Sequence, residues 1–327
     1  MDFDDSLWVE KYRPKKISDI VSQDETISIM NKITNNGNLP HLLFYGPPGV
    51  GKTTTALALS KQLFKNNFND RILELNASDD RGIEIVRKKI KAFASLSINS
   101  DKNEKLPPFK IIILDEADNM THDAQNALRR IIESYTNITR FILICNYLSC
   151  IIDPINSRCC KFKFNSINNN KIKEFMINIC KKENYEISNE LIEKIIFHSN
   201  GDMRRAIMLL QTSYIIHDKN INFKKIEELS GYIPDIYLNE IMLSCYNKDF
   251  TKSSKIIKDV LHNGYTANQF LLQLSNLLNN SNFPFIKNES TSNILMGISK
   301  IDYRISNGSN QYIQLLHLIG IIINNIK

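Results

Sequence analysis

Residues 46–53 read GPPGVGKT, and 111–118 read IIILDEAD; together they supply a phosphate cradle and a pair of carboxylates. The first fits G-x-x-x-x-G-K-[ST] and stands between an apolar strand-like run, LPHLLFY (39–45), and a helical pattern, TTTALALSKQLF. In that context Gly46, Pro47, Pro48, Gly49, Val50 and Gly51 form a loop whose glycines let backbone N–H groups turn toward phosphate oxygens. The following helix N-terminus adds positive potential. Lys52 would reach the β- and γ-phosphates of ATP, Thr53 would ligate Mg²⁺, and Thr54 completes the nucleotide-binding set. Asp115 stands where an acidic residue would hold Mg²⁺, usually through water, and Glu116 beside it would polarise the attacking water. Four isoleucine or leucine residues precede them, so the strand is expected to be buried with its tip in a crevice. Asn146, ending FILICNY, is placed to hydrogen-bond the γ-phosphate or the water.

The elements that must carry these groups follow from the apolar pattern. Short β-branched runs at 39–45, 71–78, 110–118, 140–147 and 161–164 alternate with helical patterns, which predicts a parallel sheet with helices on both faces. After residue 165 the strands stop. KIKEFMINICKKEN, NELIEKIIFHSN and MRRAIMLLQTSYIIH predict three helices, with a break at Ser199, Asn200 and Gly201 and a cap at Asp202. From about Tyr232 the chain is again helical. The expected plan is an α/β P-loop domain (1–164), an all-α lid (165–230) and an all-α C-terminal domain (231–327).

Composition narrows the classes. Of 327 residues, 43% are hydrophobic and 23% charged, enough for two or three globular units. No run of roughly 18 apolar residues predicts a membrane span, and MDFDDSLWVE lacks the apolar core of a secretion signal. Six cysteines without repeated spacing do not make a disulfide framework. A net charge of +6 permits nucleic acid binding without establishing it, because clustering decides. The asparagine-rich NSINNNK (165–171) reads as compositional bias in a loop. The letters DEAD suggest a helicase, but a second α/β domain is missing.

INSRCC (155–160) is the odd stretch: metal site, redox pair, disulfide or strand edge. Adjacent Cys159 and Cys160 could bridge only through a strained ring, and no second pair or His cluster supports zinc. Both are expected to be buried or semi-buried thiols entering KFKF, with Asn156, Ser157 and Arg158 on a surface loop.

WVEKYRP (8–14), LPHLLFYGPPG (39–49), LELNASDDRGI (73–83), ILDEADNMTHDAQNALRR (113–130), NSRC (156–159) and GDMRRAI (201–207) occur in that order, and KIDYRISNG…IQL follows at 300–315. On these boxes the chain resembles the AAA+ ATPases, and within them the small subunits of replication factor C, the eukaryotic clamp loader. RFILICNYLS and the unbroken LPHLLFYGPP most resemble the subunit numbered five in animals and three in budding yeast. The resemblance implies that the C-terminal domain is a collar and that Val9, Tyr12, Arg13 and Val21 line the adenine and ribose pocket. It implies that Arg204 contacts the γ-phosphate from the lid, and that Arg158 is an arginine finger reaching in trans to the next subunit's γ-phosphate. Arg205 would serve structure or the interface.

Departures from the pattern are Val50, where threonine is usual, and Cys160, where a hydroxyl residue is common; neither is expected to matter. The absence of further terminal domains argues against the large subunit, and no Cys₄ spacing resembles a bacterial loader's zinc module.

SDDRGIEIVRKKIKAF carries Gly82 near a helix start and a basic series. With the resemblance, Arg81, Arg87 and Lys88 are expected to contact primer–template DNA through its backbone, independent of sequence. Lys89 and Lys91 read as a solvated face. Gln125, Arg129 and Glu133 share one helix face opposite Ala124, Leu128, Ile131 and Ile132. That polar stripe carries two readings, an intrahelical salt bridge or a face toward DNA or the adjacent subunit. The resemblance further implies a nuclear hetero-pentamer acting on a sliding clamp (PCNA), with no membrane partner. Two rivals are a different AAA+ DNA-replication or repair machine, and an ATP-binding structural subunit with little hydrolysis of its own.

Overall fold

Ile111, Ile112, Ile113 and Leu114 are wholly buried, and the strand they form, β3 (Lys110–Asp115), lies inside a five-stranded parallel sheet. The computed structural model describes residues 7–21, 23–36, 38–77, 83–96, 107–216, 231–280 and 288–326. The other strands are β1 (Leu42–Tyr45), β2 (Ile72–Asn76), β4 (Thr139–Cys145) and β5 (Cys160–Lys163), in the order β2-β3-β4-β1-β5. Ile113 pairs with Ile142, and Leu43 with Leu143. Because β4 separates β3 from β1, its C-terminal end falls between the tips of the strands that carry Asp115 and the P-loop. That is where an open α/β sheet collects ligands.

Alternation along the strands sends successive side chains to opposite faces. Leu43, Ile112, Leu114, Phe141 and Leu143 share one core with two helices. Helix α5 (Ile83–Ser95) contributes Ile90 and Ala94, and α6 (His122–Tyr135) contributes Leu128, Ile131 and Ile132. The P-loop helix α3 (Lys52–Phe64) packs on β3 and β4, burying Ala56, Leu59 and Leu63. Short α1 (Trp8–Lys11) and α2 (Asp24–Asn36) precede β1, and α4 (Phe68–Arg71) leads into β2. Helix α6 starts where Thr121 accepts the Ala124 N–H, 3.3 Å away. The turn α7 (Asp153–Asn156) leads into β5.

Three helices follow: α8 (Asn169–Lys182), α9 (Asn189–Ser199) and α10 (Met203–Ile216). Asn168 and Ser188 cap α8 and α9 with their side chains. Asn200 ends α9 in the left-handed region at φ 50°, and Asp202 Oδ1 accepts the Arg205 N–H at 3.1 Å to start α10.

The chain divides into two compact units, residues 1–215 and 216–327. The described part of the second unit is a helical bundle of α11 (Asp235–Tyr246), α12 (Phe250–His262), α13 (Ala267–Asn280), α14 (Asn288–Ser306) and α15 (Gln311–Asn325). Ile241, Met242, Ile257, Phe270, Leu274, Ile301 and Leu315 form its dry centre. No described helix is long and apolar enough to cross a membrane.

INSRCC differs from expectation in two ways. Asn156 closes the helical turn α7 rather than lying in a loop, because Pro154 sits in its first turn, where its fixed φ suits a helix start. Cys160 is exposed, since β5 is an edge strand with little covering it. Cys159 is buried, and burial pushes its thiol up to about 12. No described cysteine is disulfide-bonded, and no described cluster of His, Cys, Asp and Glu could hold a metal by itself.

A candidate nucleotide site at the P-loop

The loop after β1 folds around the Lys52 ammonium. Its Nζ donates to the carbonyls of Gly46 and Pro47, both at 2.7 Å, and to Asn146 Oδ1 at 2.9 Å. Asn146 can reach it only because β4 lies beside β1 in the sheet. Lys52 is 7% exposed, and burial lowers its pKa. Asp115 and Asp118 oppose that shift, whereas the nearby Arg204 adds to it. A buried ammonium ringed by neutral oxygens, with a further cation at hand, favours an anion at this point.

Two glycines are required by close approach. A Cβ on Gly46 would sit 2.2 Å from the Phe164 carbonyl oxygen, and one on Gly49 would sit 1.7 Å from Asp202 Oδ1. The second contact joins the P-loop to α10, and the Met203 N–H donates to the Gly49 carbonyl at 3.1 Å. Helix α3 begins at Lys52, and its first-turn N–H groups have no acceptor within the helix, which suits phosphate oxygens.

Thr53 Oγ1 donates to Asp115 Oδ2 at 2.7 Å, so a hydroxyl and a carboxylate, both hard oxygen donors, lie together. Few protein ligands are what Mg²⁺ takes beside phosphates and waters. Asp115 Oδ1 accepts the Glu116 N–H at 2.8 Å. Glu116 sits in the left-handed region at φ 52°, a conformation that costs a non-glycine residue energy and gathers at functional sites.

A cavity of about 240 Å³ opens here. Val9, Tyr12, Arg13 and Val21 line one side, and residues 48–54 of the P-loop line the floor. Asp115, Glu116, Asn146 and Arg204 complete it. Gly46 and Pro47 act through their carbonyls on Lys52 instead of lining the cavity. Tyr12 is fixed by its hydroxyl donating to Glu183 on the α8–α9 connection. Lys11 pairs with the same carboxylate at 2.9 Å.

Several contributors are not among the residues expected at the site. Pro14, Ile20, Ile167, Phe175, Met203 and Ile207 add the apolar part of the wall. Asn119 Nδ2 donates to Glu116 Oε2 at 3.1 Å and so orients that carboxylate. Asp118 Oδ2 accepts the N–H groups of Asn146 and Tyr147, at 2.9 and 3.3 Å, which fixes the end of β4.

Arg158 lies outside this cavity. Its Nη1 donates to the Pro154 carbonyl at 2.6 Å and its Nη2 meets Glu133 at 2.7 Å, with the side chain 41% exposed. The polar stripe of α6 therefore divides. Glu133 holds Arg158 and lies 3.8 Å from Arg129. Gln125 is 2% exposed and faces inward, contrary to the outward face expected of it. Its Nε2 donates to the carbonyls of Met120 (3.2 Å) and Cys150 (2.9 Å), and its Oε1 accepts the Ile152 N–H at 2.9 Å. The loop at 148–152 covers that turn of α6, and helical phase alone does not reveal the cover.

Of the residues expected at DNA, Arg81 and the Arg87 side chain lie outside the described residues, as does Gly82. Lys88 is exposed on α5.

Residues 42–166 match the family "ATPase family associated with various cellular activities (AAA)". Residues 174–215 match "RCF1/5-like, AAA+ ATPase lid domain", and 233–320 match "Replication factor C C-terminal domain". The chain is 43% identical to replication factor C subunit 2 of Saccharomyces cerevisiae over 95% of its own length and 91% of the relative's. It is 40% identical to replication factor C subunit 5 of Mus musculus, over 96% and 90%. Among solved structures it resembles the RuvB Holliday junction branch migration motor of Thermotoga maritima, with TM-score 0.53 and 19% identity. That likeness covers 80% of this chain and 91% of the other and speaks to fold alone.

Proposed function

From the premise that the chain belongs to the replication factor C small subunits, a branch of the AAA+ ATPases, we propose that it is an ATP-hydrolysing subunit of a clamp loader. It would help open a sliding clamp (PCNA) and load it on primer–template DNA in the nucleus, within a hetero-pentamer of sister subunits. The observation that carries this reading is the convergence of Lys52, Thr53, Asp115 and Asn146 at the P-loop, while Arg158 stands outside its own chain's cavity. A site built for ATP and an arginine held away from it suit a ring in which each subunit completes its neighbour.

ATP would lie with its base against Val9, Tyr12, Arg13 and Val21 and its phosphates on residues 46–54. Mg²⁺ held by Thr53 and Asp115 would neutralise charge on the β- and γ-phosphates. Glu116, oriented by Asn119, would polarise the attacking water, and Asn146 would fix the γ-phosphate or that water. Arg204 stands beside Lys52 on α10, which also bonds the P-loop through Met203. Loss of the γ-phosphate would therefore be felt by the lid. Arg81, Arg87 and Lys88 would follow the DNA backbone. As to subunit number, the reading as the subunit numbered five in animals and three in budding yeast rests on RFILICNYLS and LPHLLFYGPP; the identity to mouse subunit 5, 40%, is matched by 40% to human subunit 4 and exceeded by 43% to yeast subunit 2.

Reconstitution with sister subunits tests the reading. Glu116→Gln should suppress the share of turnover stimulated by primed DNA and clamp while ATP still binds. Unchanged turnover would instead mark a structural subunit whose nucleotide serves assembly.

A further inference from the structure

Next to the nucleotide cavity, and sharing Tyr12, Arg13, Val21 and Phe175 with it, a second hollow of about 790 Å³ opens between the N-terminal segment and α8. A third, of about 420 Å³, adjoins it through Lys15 and Ser18 and runs to the C-terminal end of α3. Cations dominate both. The N-terminal segment contributes Lys11, Arg13, Lys15 and Lys16. Lys61 and Lys65 come from the end of α3. Lys171, Lys181 and Lys182 come from α8. Against these nine the lining sets two carboxylates, Asp19 and Glu174, so positive charge prevails in both hollows. Glu183 and Glu10 engage Lys11 and Arg13, but Lys15, Lys16, Lys61, Lys65, Lys181 and Lys182 are all exposed.

We propose that this groove binds the phosphodiester backbone of single-stranded nucleic acid, without reading its sequence. Like charges gathered in a concavity repel one another, and a polyanion relieves that repulsion while releasing its own counterions. Lysine is depleted from protein–protein interfaces, which use Arg and aromatic anchors, so a groove with eight lysines among nine cations fits phosphates better than an acidic peptide. Its concavity suits a flexible strand rather than a flat bilayer or a rigid duplex. Phe175 on its wall offers ring surface of the kind single-strand grooves use for bases. The site is separate from α5, and it rests on charge and shape, so it stands whether or not the clamp-loading reading does.

The test is fluorescence anisotropy of the full chain with a labelled thymidine oligonucleotide, over a range of salt. Two double reversals probe opposite walls, Lys61→Glu with Lys65→Glu and Lys181→Glu with Lys182→Glu; none of these four lines the nucleotide cavity. Each should weaken binding by roughly tenfold or more, with the log–log salt slope falling by about 0.7 for each phosphate no longer neutralised. ATP binding should remain, as a check of the fold. Lys255→Glu with Lys258→Glu, exposed positions on α12, makes the same charge change elsewhere and should barely matter. Wild-type affinity in both groove variants would overturn the proposal. So would equal weakening in the α12 control, tighter binding of a duplex of the same sequence, or an effect confined to binding of a poly-glutamate peptide.

Discussion

Arg158 and Glu133 meet at 2.7 Å on the surface of the α/β domain, and neither lines the cavity beside the chain's own P-loop. Both side chains are 41% exposed, so the pair adds less than about 1 kcal/mol to stability. Its effect is on position: Glu133 and the Pro154 carbonyl hold two guanidinium nitrogens, and the guanidinium has further N–H donors beyond these two bonds. In a reconstituted complex, Arg158→Ala should leave ATP binding to this chain intact and slow hydrolysis at the adjoining subunit by on the order of 10³-fold. Glu133→Ala should give a smaller loss at that same site, in kcat more than in KM. Turnover lost only at this chain's own nucleotide would sink the assignment.

Lys52 concentrates the site's electrostatics. Replacing it with alanine removes a buried cation held by three oxygens. A charge-assisted bond to phosphate is worth about 1.5–3 kcal/mol, so ATP affinity should fall roughly 10- to 100-fold. Titration of a fluorescent ATP analogue against the wild-type and Lys52→Ala chains measures this. Equal affinities would move the phosphates away from the P-loop.

The P-loop and the strand before Asp115 were legible because their physics is local. Glycines mark where backbone must pass close to other atoms, and unbroken isoleucine runs mark strands covered on both faces. Lid and C-terminal helices were legible for the same reason, through periodicity and caps such as Ser188 and Asp202. What depends on distant segments was not. The apolar wall of the cavity comes partly from Phe175 and Ile207 in the lid. The basic groove gathers lysines near positions 15, 61 and 181, so no run in the chain announces it.

Gln125 ties α6, which follows the Glu116 turn, to the loop that leads toward Arg158. Its amide satisfies the carbonyls of Met120 and Cys150 and the buried N–H of Ile152. Gln125→Ala strands those groups and should cost about 1–3 kcal/mol, seen as a lower urea midpoint with the slope unchanged. Gln125→Glu keeps the acceptor for Ile152 and loses both donors, so it should not rescue. A midpoint equal to wild type in either variant would mean that water replaces the amide.

His41 precedes β1 and is 7% exposed. Its Nδ1 accepts the Phe141 N–H at 3.1 Å, which requires that nitrogen to be unprotonated. Burial, with Arg140 adding repulsion, pushes its pKa from 6.5 down to about 4. The folded imidazole thus stays neutral where the unfolded one takes up a proton. The unfolded state binds more protons between those values, so stability should be full above about pH 6.5 and fall as pH drops toward 4. The part due to His41 is on the order of 1–3 kcal/mol. Urea midpoints at pH 7.5 and 5.5 for wild type and His41→Asn isolate it, since asparagine can still accept the Phe141 N–H but does not titrate. The wild-type chain should lose more stability between the two pH values than the variant does. Parallel losses would show that other groups carry the acid sensitivity and that His41 is protonated at its ordinary pH.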